Sequence, residues 1–168
     1  MLKLRTLVPV LFLALGVSAM AEDASVPLTG AHLCCGKCEK AAAKAVEGTG
    51  AKAAIADKTI TVTAADAAAA QKAVDALVEA GFWAISGKDG VAAKDNSGVK
   101  AGAAKRLELT GVHQCCGKCE KAILAAVKGV KGVEGAAVNG NSVVVEGEFD
   151  GAEVVAALHA AGLHGKAK

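Results

Sequence analysis

Aromatic side chains are nearly absent from this sequence: three Phe and one Trp among 168 residues. Cores must therefore be built from Ala, Val, Leu and Ile. Such cores are small, and small domains are marginal without an added staple such as a bound metal. An excess of charge of one sign is also missing. Lys and Arg number 19 against 17 Asp and Glu, and Lys3 and Arg5 at the extreme start account for the difference. A neutral remainder lacks the electrostatic footprint of a nucleic-acid or anionic-lipid binder. Both methionines, Met1 and Met20, lie in the first 21 residues. The rest of the chain offers no thioether to a metal. Long apolar runs are lacking too, with one exception, Thr6 to about Ala19.

That single run reads as the core of an export signal. Lys3 and Arg5 precede it, and Ala19-Met20-Ala21 supplies small residues where a signal peptidase requires them, which sets cleavage before Glu22. The run is short for a membrane span. The expectation is a signal peptide over 1–21 and a soluble mature chain without stable membrane insertion, periplasmic or secreted.

What the sequence does have is a duplication. Leu28-Thr29-Gly30-Ala31-His32-Leu33-Cys34-Cys35-Gly36-Lys37-Cys38-Glu39-Lys40-Ala41 returns 81 residues later. The second copy reads Leu109-Thr110-Gly111-Val112-His113-Gln114-Cys115-Cys116-Gly117-Lys118-Cys119-Glu120-Lys121-Ala122. The offset still holds at Gly81 and Gly162, so the repeating unit is a whole domain. The boundaries expected are 22–87 for a first domain and 105–168 for a second. Residues 88–104, rich in Gly, Ala, Lys and Asp without apolar periodicity, read as a flexible linker.

Within the first copy, Ser25 to Ala31 is extended and Cys38 to Val46 is Ala-rich and helical. Two β-prone runs flank the turn Asp57-Lys58. Ala67 to Ala80 is helical, with Gly81 as its stop, and Phe82 to Ser86 is a last short strand. In the second copy Asn139-Gly140 signals a type I′ hairpin turn. Only Leu163-His164-Gly165 precedes its polar tail, so its last strand is expected to be truncated. Strand, helix, strand, strand, helix, strand is the ferredoxin-like split βαβ order. The fold class expected is α+β, two ferredoxin-like βαββαβ sandwiches in tandem.

Each copy places His-x-Cys-Cys-Gly-Lys-Cys between a strand and a helix. Gly36 and Gly117 permit a tight turn. The helix start turns unpaired N–H groups and a positive dipole end toward the sulfurs, favouring the metal-binding thiolate. The candidate metal ligands are His32, Cys34, Cys35 and Cys38, then His113, Cys115, Cys116 and Cys119. Thiolate with imidazole selects Cu(I) or Zn(II) over Mg or Ca. Three thiolates and one imidazole close a tetrahedral zinc site. A linear Cu(I) pair on Cys35 and Cys38 is the other geometry.

The strand–loop–helix with Cys-x-x-Cys inside a βαββαβ unit resembles the heavy-metal-associated domain. That family includes copper metallochaperones and the N-terminal modules of metal-pumping P-type ATPases. Cys35-Gly36-Lys37-Cys38 and Cys116-Gly117-Lys118-Cys119 match its two metal-binding cysteines. Gly30 and Gly111 resemble its leading glycine, one residue farther from the pair than is usual. His32 and His113 stand in for its usual Met, at the Met spacing only when counted from Cys34 and Cys115. Ala80-Gly81-Phe82 is similar to its Ala-Gly-aromatic ending, where Leu163 replaces the ring in the second copy. The resemblance implies one Cu(I) or Zn(II) ion per domain, with a metal transporter or another metal-binding protein as partner.

Other readings of the cysteines are weaker. Six cysteines in two groups of three leave a thiol over in each group, which disfavours structural disulfides. A periplasmic thiol–disulfide redox protein is the alternative class. The only proline past residue 21 is Pro27, so the cis-proline that a thioredoxin-like resemblance would imply is missing. No catalytic base or nucleotide loop stands out, and a binder rather than an enzyme is expected. His159 and His164 read as solvated histidines at a helix end, with a weak accessory metal role as the alternative for His164, which stands where the first copy has Trp83.

Overall fold

The computed structural model describes residues 23–168. The expected signal over 1–21 lies outside the described residues. The first repeat runs β1 (Ala24–Thr29), α1 (Gly36–Glu47), β2 (Lys52–Ala56), β3 (Thr59–Ala64), α2 (Ala67–Glu79) and β4 (Ile85–Ser86). The second runs β5 (Ala103–Thr110), α3 (Gly117–Lys128), β6 (Val133–Asn139), β7 (Ser142–Asp150), α4 (Gly151–Ala160) and β8 (Lys166–Ala167).

Strict alternation makes β1 one-sided: Ala24, Val26 and Leu28 face in while Ser25, Pro27 and Thr29 face out. Ile60, Val62 and Ala64 do the same for β3. Helix α1 buries Cys38, Ala42 and Val46, four residues apart on one face. Helix α2 buries Ala70, Ala73, Val74, Leu77 and Val78, and its start is capped by Asp66, which accepts from Ala69 N–H at 2.7 Å. The result is two four-stranded antiparallel sheets, β2-β3-β1-β4 and β6-β7-β5-β8, with four helices. That strand order fits the ferredoxin-like expectation.

Two details of the sheets differ from the sequence reading. The last strand is two residues long in both repeats, not truncated only in the second. The cause is common to both: Phe82 and Leu163 leave the sheet to pair with each other in an antiparallel bridge. The second hairpin closes on the pair Asn139–Ser142, so its turn is Gly140-Asn141. Gly140 has φ 58°, with glycine in the first central position as type II′ turns require. The turn Asp57-Lys58 is as expected, with φ 48° and 62°.

Residues 88–104, expected as a flexible linker, are anchored along their length. Val91 and Ser97 are buried. Ala92 exchanges two hydrogen bonds with the Gln71 amide, and Ser97 O accepts from Ala167 N–H at 2.7 Å. The anchors are sparse apolar and polar residues among Gly, Ala and Lys, too few to give a periodic signal.

The repeats meet around an approximate two-fold. Gly162 O accepts from His32 N–H and Trp83 N–H, each at 3.0 Å. Gly81 O accepts from His113 N–H at 3.4 Å and His164 N–H at 2.9 Å. Gly81 and Gly162 have φ of 84° and 76°, and a Cβ on either would overlap the other repeat's backbone. Their glycine character thus serves the join between repeats as well as the helix stop.

Candidate metal centre

The join decides where the cysteines go. Cys35 and Cys116 occupy the N-cap positions of α1 and α3 in extended conformation. Cys38 and Cys119 sit one turn in, on the buried face of each helix, and both are wholly buried. The two helix starts face each other across the two-fold, so the two clusters merge.

All eight sequence-predicted ligands come together, and all six thiols are free. Cys38 Sγ lies 3.5 Å from Cys34, 3.7 Å from Cys35, 3.4 Å from Cys115 and 3.7 Å from Cys119. Cys34 is 3.7 Å from Cys119, Cys35 is 3.7 Å from Cys115, and Cys115 is 3.8 Å from Cys119. The shortest of these contacts joins the two repeats. The separate loop sites expected from the sequence are one group instead.

Four compact donor sets contain sulfur: Cys34, Cys35 and Cys38 form one within the first repeat, Cys35 with Cys115 and Cys116 forms a crossed one, and the two sets that include a histidine are both crossed. One is Cys38 of the first repeat with His113, Cys115 and Cys119 of the second; the other is His32 and Cys34 of the first with Cys119 of the second. The imidazoles give an independent sign of what belongs there. The Nε2 atoms of His32 and His113 are both buried without a hydrogen-bond partner. An orphaned buried nitrogen costs about 1–3 kcal/mol, which a metal ion would offset. Burial holds both rings toward the neutral, ligating form.

The thiols divide by environment. Cys35 is half-exposed, and the N–H groups of Cys38 and Lys37 at the start of α1 pull it down to about 6. It is a thiolate at neutral pH without a metal. Burial, reinforced by hydrogen bonds among the thiols, pushes Cys34 and Cys115 up. Burial also raises Cys38. For Cys119 burial is outweighed by hydrogen bonds from Cys115, Cys34 and Cys38, and the thiol is lowered. An open cleft lined by Cys35, Lys37, Lys40, Cys116, Lys118 and Lys121 leads to the group.

The sequence missed one further cluster. His159 and His164, expected to be solvated, are half-buried and 1 % exposed respectively. The His159 ring stacks on Trp83 with centroids 3.5 Å apart and planes 6° apart. Asp95 joins the two histidines. The available signal was the His pair five apart across a helix-ending glycine, where the first repeat has Val78 and Trp83.

Residues 109–164 match the family model of the heavy-metal-associated domain. No match is found among curated proteins or among solved structures. The first repeat lies outside the matched residues; it carries the same strand order and the same cysteines. The family match and the clustered thiols together identify a soft-metal-ion site. Among the described residues no helix is long and apolar enough to cross a membrane.

Proposed function

We propose that this chain captures a soft metal ion outside the cytoplasm, Cu(I) in preference to Zn(II), and holds or hands it on through one thiol group shared by its two repeats. The observation that carries this reading is the convergence of five sulfurs from two copies of one loop at 3.4–3.8 Å, with the sixth, on Cys116, within 4.8 Å of Cys35 and Cys115. Sulfurs about 2.3 Å from an ion are about 3.8 Å apart in a tetrahedral array and about 4.6 Å apart in a linear one. The spacing favours three- or four-coordinate binding over the linear pair.

Two ions per chain suit the donor count, each held by a crossed set. Cys38, His113 and Cys115 hold one, and Cys119, His32 and Cys34 hold the other. Cys35 and Cys116 line the cleft and meet an incoming ion first. Cys35, already ionised, accepts the ion and passes it inward as the buried thiols lose their protons to solvent. Release reverses the order: a thiol of a transporter or another metal-binding protein joins at Cys35 before the buried sulfurs let go. Export rests on the apolar run and cleavage site within residues 1–21.

Thiol–disulfide exchange is the second reading, favoured by the lowered Cys35 thiol 3.7 Å from Cys38. One titration separates the two. The reduced chain is offered Cu(I) and Zn(II) against a chelator without oxygen, and its mass is read under non-denaturing conditions. Two ions that are lost on blocking the thiols, with Cu(I) taken first, are expected. Failure to hold either metal, with the thiols pairing instead, sinks the metal reading and leaves the exchange reading in its place.

A further inference from the structure

Three side chains that take no part in the sulfur group are arranged as ligands. We propose that Asp95, His159 and His164 form a second, separate cation site for a borderline divalent ion such as Zn(II) or Ni(II). One donor atom from each lies within 4.8 Å of the other two. His159 Nε2 and His164 Nδ1 face each other at 2.9 Å. No sulfur belongs to the set. Two imidazoles and a carboxylate suit Zn(II), Ni(II) or Cu(II) and offer little to Cu(I).

The surroundings fix the ring that matters most. Asn96 donates through Nδ2 to Glu79 at 2.8 Å, which orients its amide. Asn96 Oδ1 therefore accepts, and His164 Nε2, 2.7 Å away, must carry the hydrogen. The lone pair of His164 is then on Nδ1, where it accepts from His159 Nε2–H at 2.9 Å; a cation bound there takes the place of that hydrogen, with His159 carrying its own on Nδ1. A hydrogen-bonded partner behind a ligating histidine sets tautomer and orientation in this way. Trp83 holds the His159 ring in place by stacking. Burial lowers both imidazoles, His159 to about 4, so neither proton competes with a cation at neutral pH. Asp95 is exposed, which gives an ion a way in and leaves room for water as the remaining ligands.

The site unites parts that are distant in sequence. Asp95 and Asn96 come from the connecting segment, His159 and His164 from the second repeat, and Trp83 and Glu79 from the first. A cation there would fasten the connecting segment to the second repeat, independently of whether the thiols are loaded.

The test uses the reduced full chain labelled with nitrogen-15, titrated with Zn(II) without oxygen. The ring nitrogens of His159 and His164 are followed by NMR. A parallel titration uses Ni(II), with fluorescence of Trp83, the sole tryptophan, as readout. Both rings are expected to shift together and Trp83 to be quenched, with affinity about tenfold or more lower in Asp95→Asn and His159→Gln. Exposed Asp95 can be changed without disturbing the stack, which keeps the test valid if His159→Gln folds poorly. If the ring nitrogens stay unmoved while Zn(II) goes to the thiols, the three groups only pack, and the proposal falls. Equal affinity in Asp95→Asn overturns it as well.

Discussion

The imidazole of His113 lies against the ring of Phe82 from the other repeat, centroids 4.1 Å apart and planes 25° apart, while its Nε2 is buried and unpartnered. The stack holds the ring beside the sulfurs, with one of its nitrogens within 4.8 Å of those of Cys38, Cys115 and Cys119. A chain without metal bears the cost of that orphaned nitrogen. His113→Leu is therefore expected to raise the stability of the metal-free chain by about 1 kcal/mol. The same change should weaken metal binding about tenfold or more. Urea unfolding of the empty and loaded forms checks both, and the order of the two variants should reverse between them. A gain in both forms would remove His113 from the ligand set.

Crossed ligation gives a second prediction. In Cys38→Ser the metal signature should vanish from His113, in the opposite repeat, and persist at His32. In Cys119→Ser the roles exchange. Ring-nitrogen NMR of the loaded variants reads this directly. Loops that each bound their own ion would give the opposite pattern.

Oxidation is expected to link the repeats. The Cys38 and Cys115 sulfurs are 3.4 Å apart, nearer than any pair within one repeat, and need close only to about 2.05 Å. Mild oxidant on the metal-free chain should yield a disulfide joining peptides from both repeats, detected by mass spectrometry after digestion. Metal loading should protect the thiols. Disulfides confined to Cys35–Cys38 and Cys116–Cys119 would argue against the shared group.

Gly162→Ala should cost about 1–2 kcal/mol through its positive φ alone. Overlap with the Gly30 carbonyl then forces the repeats apart. Uptake of both metal ions should fall together, although residue 162 touches no ligand side chain. The check is denaturant unfolding paired with metal stoichiometry. A variant that unfolds more easily yet holds both ions with undiminished affinity would show that the join is not needed for binding.

Acid should destabilise the metal-free chain. Burial, and then the charge of His164, lowers His159 from 6.5 to about 4 in the folded state. The unfolded chain takes up that proton near 6.5 and the folded chain only near 4. Between those values the unfolded state holds more protons, so stability falls as pH drops. His164, His32 and His113 shift in the same direction. The urea midpoint is expected to fall from pH 6.5 toward 4, with a smaller fall in His159→Gln.

The elements of each repeat were legible because their signals are local. Val26 and Leu28 alternate with Ser25, Pro27 and Thr29, Ala42 and Val46 follow Cys38 at helical spacing, and Gly81 marks a helix end. The eight donors were legible from two copies of one motif. Their merger was not. It depends on how Gly81 meets Gly111 and how Gly162 meets Gly30 across the two-fold, and a glycine suited to a helix stop looks the same as one chosen for close approach. The connecting segment misled for a related reason. Val91 and Ser97 are two anchors in a stretch whose composition is that of a linker. Asp95, His159 and His164 stayed hidden because the fold, not spacing, brings residue 95 to them.

Joining two copies in one chain has an effect that two identical subunits could not reproduce. Identical subunits must present the same residue on both sides of their symmetry axis. Here equivalent positions 83 and 164 hold Trp and His, and Phe82 meets Leu163 rather than itself. Fusion thus lets the partners become unequal while keeping them together at any dilution.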